Sequence, residues 1–154
     1  MKYVSYGLLL GLALATLVFT GYAFFSHVDQ DVITPYVFMA TLLYFFLIGF
    51  YISNTTCSFK EGLRAGFITG AVSMLTLAIA YFLAKNVVFH DMAIVDPKTI
   101  EGFERSGLMS IHRYLIYDAI RFGLIGLIIG TLFAAFCAGG GSFTACHIHK
   151  RPQT

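Results

Sequence analysis

Near the end of the chain, Cys146-His147-Ile148-His149 sets one thiol and two imidazoles within four residues. Thiolate and imidazole are soft and borderline donors that suit zinc or copper. Cys57 and Cys137 fall at the same end of the apolar helices described below and would extend the donor set. The pattern has no C-x-x-C pair and no second histidine pair. It therefore reads first as an ordinary polar tail, with Cys146, His147 and His149 as candidate metal ligands and no cofactor expected. Asp118 and Arg121 are the other reactive neighbours. At a spacing of three they share a helix face and can pair, with Tyr114 and Tyr117 on a similar arc. Ionisable groups inside an apolar span are costly and often functional. These two fall within about two turns of the span's end, where snorkelling and water relieve the cost. They read as an interfacial ion pair that sets the depth of the last helix.

Other chemistry is not signalled. No P-loop, G-x-G-x-x-G, H-E-x-x-H or G-x-S-x-G pattern occurs, and no apolar run carries a charge near its middle. His27, His90 and His112 lie at loops or interfaces, which argues against haem ligation within a span. Net charge is +2 with no basic cluster, so no nucleic-acid partner is expected. Without paired catalytic carboxylates or a nucleophile with its base, the chain is not expected to be an enzyme.

Small residues recur at four-residue spacing in three places. Gly7, Gly11 and Ala15 form one strip. Gly62, Gly66 and Gly70 form another, and Gly126, Gly130, Ala134 and Ala138 a third. In lipid, where no water drives helices together, such strips let backbones approach closely. The glycines are the expected helix-packing positions, either within one protomer or against a homo-oligomeric or other membrane-protein partner.

The elements that must position these residues follow from charge. Residues 3–28, 32–59, 65–84 and 122–149 contain no Asp, Glu, Lys or Arg, and no other run of this length lacks them. About 20 apolar residues in helix cross a hydrocarbon core. Only 12% of the 154 residues are charged, against roughly 25% in soluble domains. The chain thus reads as all-α and integral to a lipid bilayer, with four transmembrane helices in a bundle over residues 1–141 and a polar tail over 142–154. The run from Leu8 to Phe25 exceeds the roughly 7–15 residues of a signal h-region, so it reads as a retained first span. Helix two is expected from Pro35 to about Ser53. Ser58 with Glu61 makes a capping box for helix three, starting as early as Phe59 and ending near Phe89. Helix four is expected from Tyr114 to Ala138, ended by Gly139-Gly140-Gly141. In the long third loop, Asp96 as cap, Pro97 and Gly107 frame a short interfacial helix. Ile100 and Phe103 should dip toward the apolar side, with Lys98, Glu101 and Arg105 toward water. With no Trp, any interfacial belt rests on tyrosines such as Tyr3, Tyr6, Tyr51 and Tyr81.

Four spans place both termini on one side. Lys and Arg number five on each side, so the short loops decide. Loop one has none, whereas loop two has Lys60 and Arg64, which favours both termini in the cytoplasm.

Tyr6-Gly7-Leu8-Leu9-Leu10-Gly11, the stretch Ser58 to Gly66, and a long loop bearing Asp96-Pro97 and Glu101 before a glycine-rich last helix form an ordered set. In this order of features the chain resembles a bacterial four-helix membrane family catalogued as domain of unknown function 4199. The resemblance implies a bacterial inner membrane and the same topology, and supplies no activity or site residues. The expected role is a non-enzymatic accessory or structural subunit that associates through its small-residue faces. The alternative is a component of a small oligomeric transporter or channel.

Overall fold

The structure is a computed structural model. It describes the backbone of residues 2–24, 27–88, 91 and 97–149, and the side chains of these residues outside 21–34 and 149. Among the described residues every regular element is helical. These are α1 (Lys2–Phe24), α2 (His27–Thr56), α3 (Phe59–Leu83) with a π-helical continuation (Ala84–Val88), α4 (Pro97–Ser106) and α5 (Ile111–His149). Four of them, α1, α2, α3 with its extension and α5, are long and apolar enough to cross a membrane.

Several helix boundaries differ from expectation. Helix α2 begins at His27, so Pro35 lies inside it rather than at its start. Only Phe25 and Ser26 separate it from α1, and the expected polar loop is largely helical. At its other end α2 runs to Thr56, leaving a turn of Cys57 and Ser58, with Cys57 at φ 52° in the left-handed region. Helix α5 passes straight through Gly139-Gly140-Gly141 to His149, so the polar tail is helical at least that far. Each glycine costs a helix about 1 kcal/mol against alanine. Here the triplet lies in the packed part of the helix: a side chain at Gly141 would overlap the Phe46 carbonyl and lie 2.9 Å from the Phe50 amide. Tertiary contact outweighs local propensity.

Other boundaries match. Ser58 caps α3, its hydroxyl accepting from the Glu61 amide at 3.4 Å. The reciprocal half of the capping box is absent from the described contacts, because the Glu61 carboxylate instead accepts the Tyr3 hydroxyl at 3.2 Å. Helix α4 starts at Pro97, and Gly107 follows its end at φ +69°. The expected Asp96 cap lies outside the described residues. Phe103 packs against Tyr114 with ring centroids 6.1 Å apart, and Ile100 is exposed at the surface of the helix. The buried position is Thr99, and Gly102 admits the Tyr114 hydroxyl where a Cβ would stand. Helix α4 is thus docked on the start of α5.

Helix α3 is central, packing against α1, α2 and α5, while α2 also packs on α5. The interior is rich in small and hydroxylic residues: Ala65, Ala134, Ala138, Ser53, Thr69, Ser73 and Ser142 are fully buried, beside two large side chains, Phe45 and Leu115. Large apolar side chains such as Leu9, Leu12, Met39, Leu132 and Phe136 are exposed. Each of the four buried hydroxyls named here donates to a backbone carbonyl: Ser53 to Ser58 at 2.9 Å, Thr69 to Tyr3 at 3.2 Å, Ser73 to Gly70 at 3.0 Å and Ser142 to Ala138 at 2.7 Å. Ser142 also reaches the Gly49 carbonyl of α2 at 3.2 Å.

Candidate functional site

Among the described residues, Lys85 is the charged group most deeply held. The π-helical turn that ends α3 carries it, and its side chain is 7% exposed. Its ammonium donates to the Asp118 carboxylate at 2.7 Å and to the Tyr81 hydroxyl at 3.4 Å. The Tyr81 ring lies against Phe122, with centroids 4.4 Å apart. Two residues of each helix, one turn apart, therefore close the α3–α5 contact at this end. Within such a pair the low local dielectric strengthens the attraction and equally raises the cost of leaving either charge alone.

This arrangement corrects the expected pairing. Asp118 is joined to Lys85, and among the described residues no ion pair links it to Arg121, which is exposed. Successive positions on α5 explain the outcome. Asp118 is half-buried beside the buried Leu115 and Ala119, whereas Arg121 lies on the outward arc with the exposed Ile120 and Phe122. The local three-residue spacing permits the Asp118–Arg121 pair, but a cation from α3 reaches Asp118 first. Lys85 follows the third charge-free run and lies about one turn before the expected end of helix three, so it reads from sequence as a cation at the helix end. Its spacing of four from Tyr81 was the signal for a helical position facing the same way.

The α3–α5 seam is antiparallel and regular. Positions at Gly62, Gly66 and Gly70 are filled by Ser142, Ala138 and Ala134 respectively, where Cβ atoms would collide. Further along, Gly130 receives Met74, whose Sδ would lie 2.6 Å from an added Cβ. On α1, Gly7 and Gly11 receive Val72 and Thr76 of α3, at 2.7 and 2.6 Å from an added Cβ. Six of the seven expected packing glycines therefore act inside the protomer. The seventh, Gly126, has nothing within 4 Å and makes no such contact here. Two packing glycines fall outside the expected strips, although each has a small residue four positions on (Ser53 and Ala145): Gly49, against the Ala138 backbone, and Gly141, against Phe46.

Cys146 and His147 are on the last turns of α5, and the His147 ring stacks on Phe143 at 6.2 Å between centroids. Among the described residues no group of three His, Cys, Asp or Glu side chains comes together to hold a metal ion. The side chain of His149 lies outside those residues. Adjacent positions on a helix diverge by roughly 100°, which sends Cys146 and His147 in different directions.

At the opposite end from Lys85, a groove of about 320 Å³ opens between α1 and α2, lined by Tyr6, Tyr44, Leu47, Ile48, Tyr51 and Ile52. The Tyr44 hydroxyl donates to the Tyr6 carbonyl at 3.0 Å and ties the two walls together. Ala65 of α3 contributes to the packed cluster beneath them.

The fold and these sites define an all-helical protein with four helices of membrane-crossing length and composition. No protein-family model matches the chain, nor does any curated protein or solved structure.

Proposed function

We propose that the chain is a four-span integral membrane protein of a bacterial inner membrane, with both termini cytoplasmic, that serves as a non-enzymatic accessory or structural subunit. The observation that carries the membrane reading is the inverted distribution of side chains. Most of the large apolar side chains, Leu, Ile, Met and Phe, lie on the outside, and hydroxyls and alanines, with Phe45 and Leu115 among them, fill the inside. Water would drive the large apolar groups inward, whereas lipid supplies no such force and rewards close backbone contact instead. Arg64 and Lys85 are 21 residues apart, about 31 Å along a helix, which matches a hydrocarbon core of roughly 30 Å. The structural role is supported by how the interior polar groups are engaged, since the hydroxyls serve backbone carbonyls and the ion pair joins α3 to α5. The resemblance to family 4199 is kept as part of this proposal on its helix-start motifs.

Topology is tested at Cys57, which is exposed at the α2–α3 turn. In a version with Cys137 and Cys146 changed to serine, an impermeant maleimide should label Cys57 only after cells are opened. Labelling of intact cells would place this turn, and with it the termini, outside.

Association through small-residue faces is tested at Gly126. The other strip glycines are covered within the protomer, so Gly126 is the one left to a partner. If it serves that purpose, Gly126→Leu should lower the native mass of the purified protein without lowering its melting temperature. An unchanged mass would remove the small-residue route to assembly. A pore-forming ring of several copies in the same measurement would favour the transporter or channel reading.

A further inference from the structure

We propose that the α1–α2 groove holds one acyl chain of an anionic phospholipid, with the lipid's phosphate met by Lys2. The inference rests on the membrane reading above. The groove is almost wholly apolar, and its volume of about 320 Å³ is at the small end of ligand sites, of a size for a stretch of chain rather than a whole lipid. Its polar neighbours lie at one end. Lys2 stands four residues before Tyr6, so the two share a face of α1 and Lys2 sits one turn beyond the groove wall. Lys2 is exposed and has no ion-pair partner among the described residues. Opposite, Tyr51 lines the groove while 59% exposed, so its hydroxyl can share in holding a headgroup.

The remaining charges at this end favour an anion. Lys60 and Arg64 add two cations. The single acid, Glu61, is already engaged, with one oxygen accepting the Tyr3 hydroxyl at 3.2 Å and the other 3.8 Å from Arg64. That engagement pins the first turn of α1 to α3 and leaves Lys2, on a neighbouring arc, to face the groove side. An unpaired lysine above an apolar channel matches a phosphodiester above an acyl chain. A zwitterionic lipid offers the same chain without the net charge.

The test uses the purified full chain in detergent, mixed with phosphatidylglycerol or phosphatidylcholine, with bound lipid read by native mass spectrometry. The wild type should retain phosphatidylglycerol in preference to phosphatidylcholine. Lys2→Gln should lower phosphatidylglycerol retention about fivefold, the contribution of one lysine beside an anionic headgroup. Leu47→Trp, a change at a half-exposed position on the groove wall, should remove retention of both lipids while the melting temperature holds. Excess glycerol phosphate at matched ionic strength should not displace the lipid, because it lacks the chain. Equal retention of the two lipids, or full retention by both variants, would overturn the proposal. Displacement by glycerol phosphate would reassign the site to a soluble phosphate. Failure of the membrane reading looks different: the chain would leave the membrane fraction on carbonate washing, before any lipid is counted.

Discussion

Asp118→Leu should destabilise the protein by about 3 kcal/mol, the largest loss expected from any single charge removal. The change leaves Lys85, whose side chain is 7% exposed, as a buried cation with only the hydroxyl and ring of Tyr81 beside it among the described residues. Lys85→Met should cost less. Asp118 is 29% exposed and can recover water when its partner is gone. The double variant Lys85→Met/Asp118→Leu should regain most of the loss, because the desolvation of both charges disappears along with their attraction. Unfolding in a fixed detergent, followed by helical circular dichroism, measures all three. Equal, small losses for both single variants would show that water reaches the pair and that it contributes as a surface pair does, at about 0–1 kcal/mol. The exposed pair between Glu101 and Arg105 on α4 supplies that comparison directly.

The second large effect is expected at Gly66. An added Cβ would overlap the Ala138 Cβ and sit 2.9 Å from the Ala134 carbonyl oxygen, so the obstacle includes backbone that cannot rotate away. Gly66→Leu should therefore part α3 from α5 and cost about 3 kcal/mol or more, by overpacking. Gly70→Leu meets Ala134 in the same way, with the Thr131 backbone 3.4 Å from the added Cβ. Gly130→Leu should be milder, since the obstacle is the Met74 side chain, which is flexible and can move. Gly126→Leu has open space and gains roughly 1 kcal/mol of helix propensity, so the protomer should hold or gain stability. The order Gly66 and Gly70, then Gly130, then Gly126 is the result to check by thermal unfolding. A Gly66→Leu variant as stable as Gly126→Leu would refute the close α3–α5 seam.

These two predictions rest on parts of the molecule that were unequally legible beforehand. The charge-free runs determine four apolar helices, because a stretch of about 20 residues or more without charge has few other ways to satisfy its backbone in an apolar setting. Ser58 before α3, Pro97 at the start of α4 and Gly107 after it also act locally, through hydrogen bonds and dihedral preferences that involve only near neighbours. Hence the sequence alone determined these boundaries. The strips of glycine likewise announced close packing, because a missing side chain is a local fact.

What those glycines face, and what pairs with Asp118, are facts about other helices. Gly126 and Gly130 are equivalent in the sequence, yet one opens on empty space and the other receives Met74, because α3 passes only one of them closely. Gly139-Gly140-Gly141 is a helix stop by propensity, and it continues because contact with Phe46 and Phe50 of α2 holds it. Asp118 had a cation three residues away on its own helix and took one 33 residues distant instead. The π-helical turn brings Lys85 to the inner side of α5, while Arg121 points outward. Local preferences are worth about 1 kcal/mol or less apiece, and a helix-long seam of contacts is worth several times that. So the sequence determined which segments are helices, and the tertiary structure decided where they end, which faces meet and which charges pair.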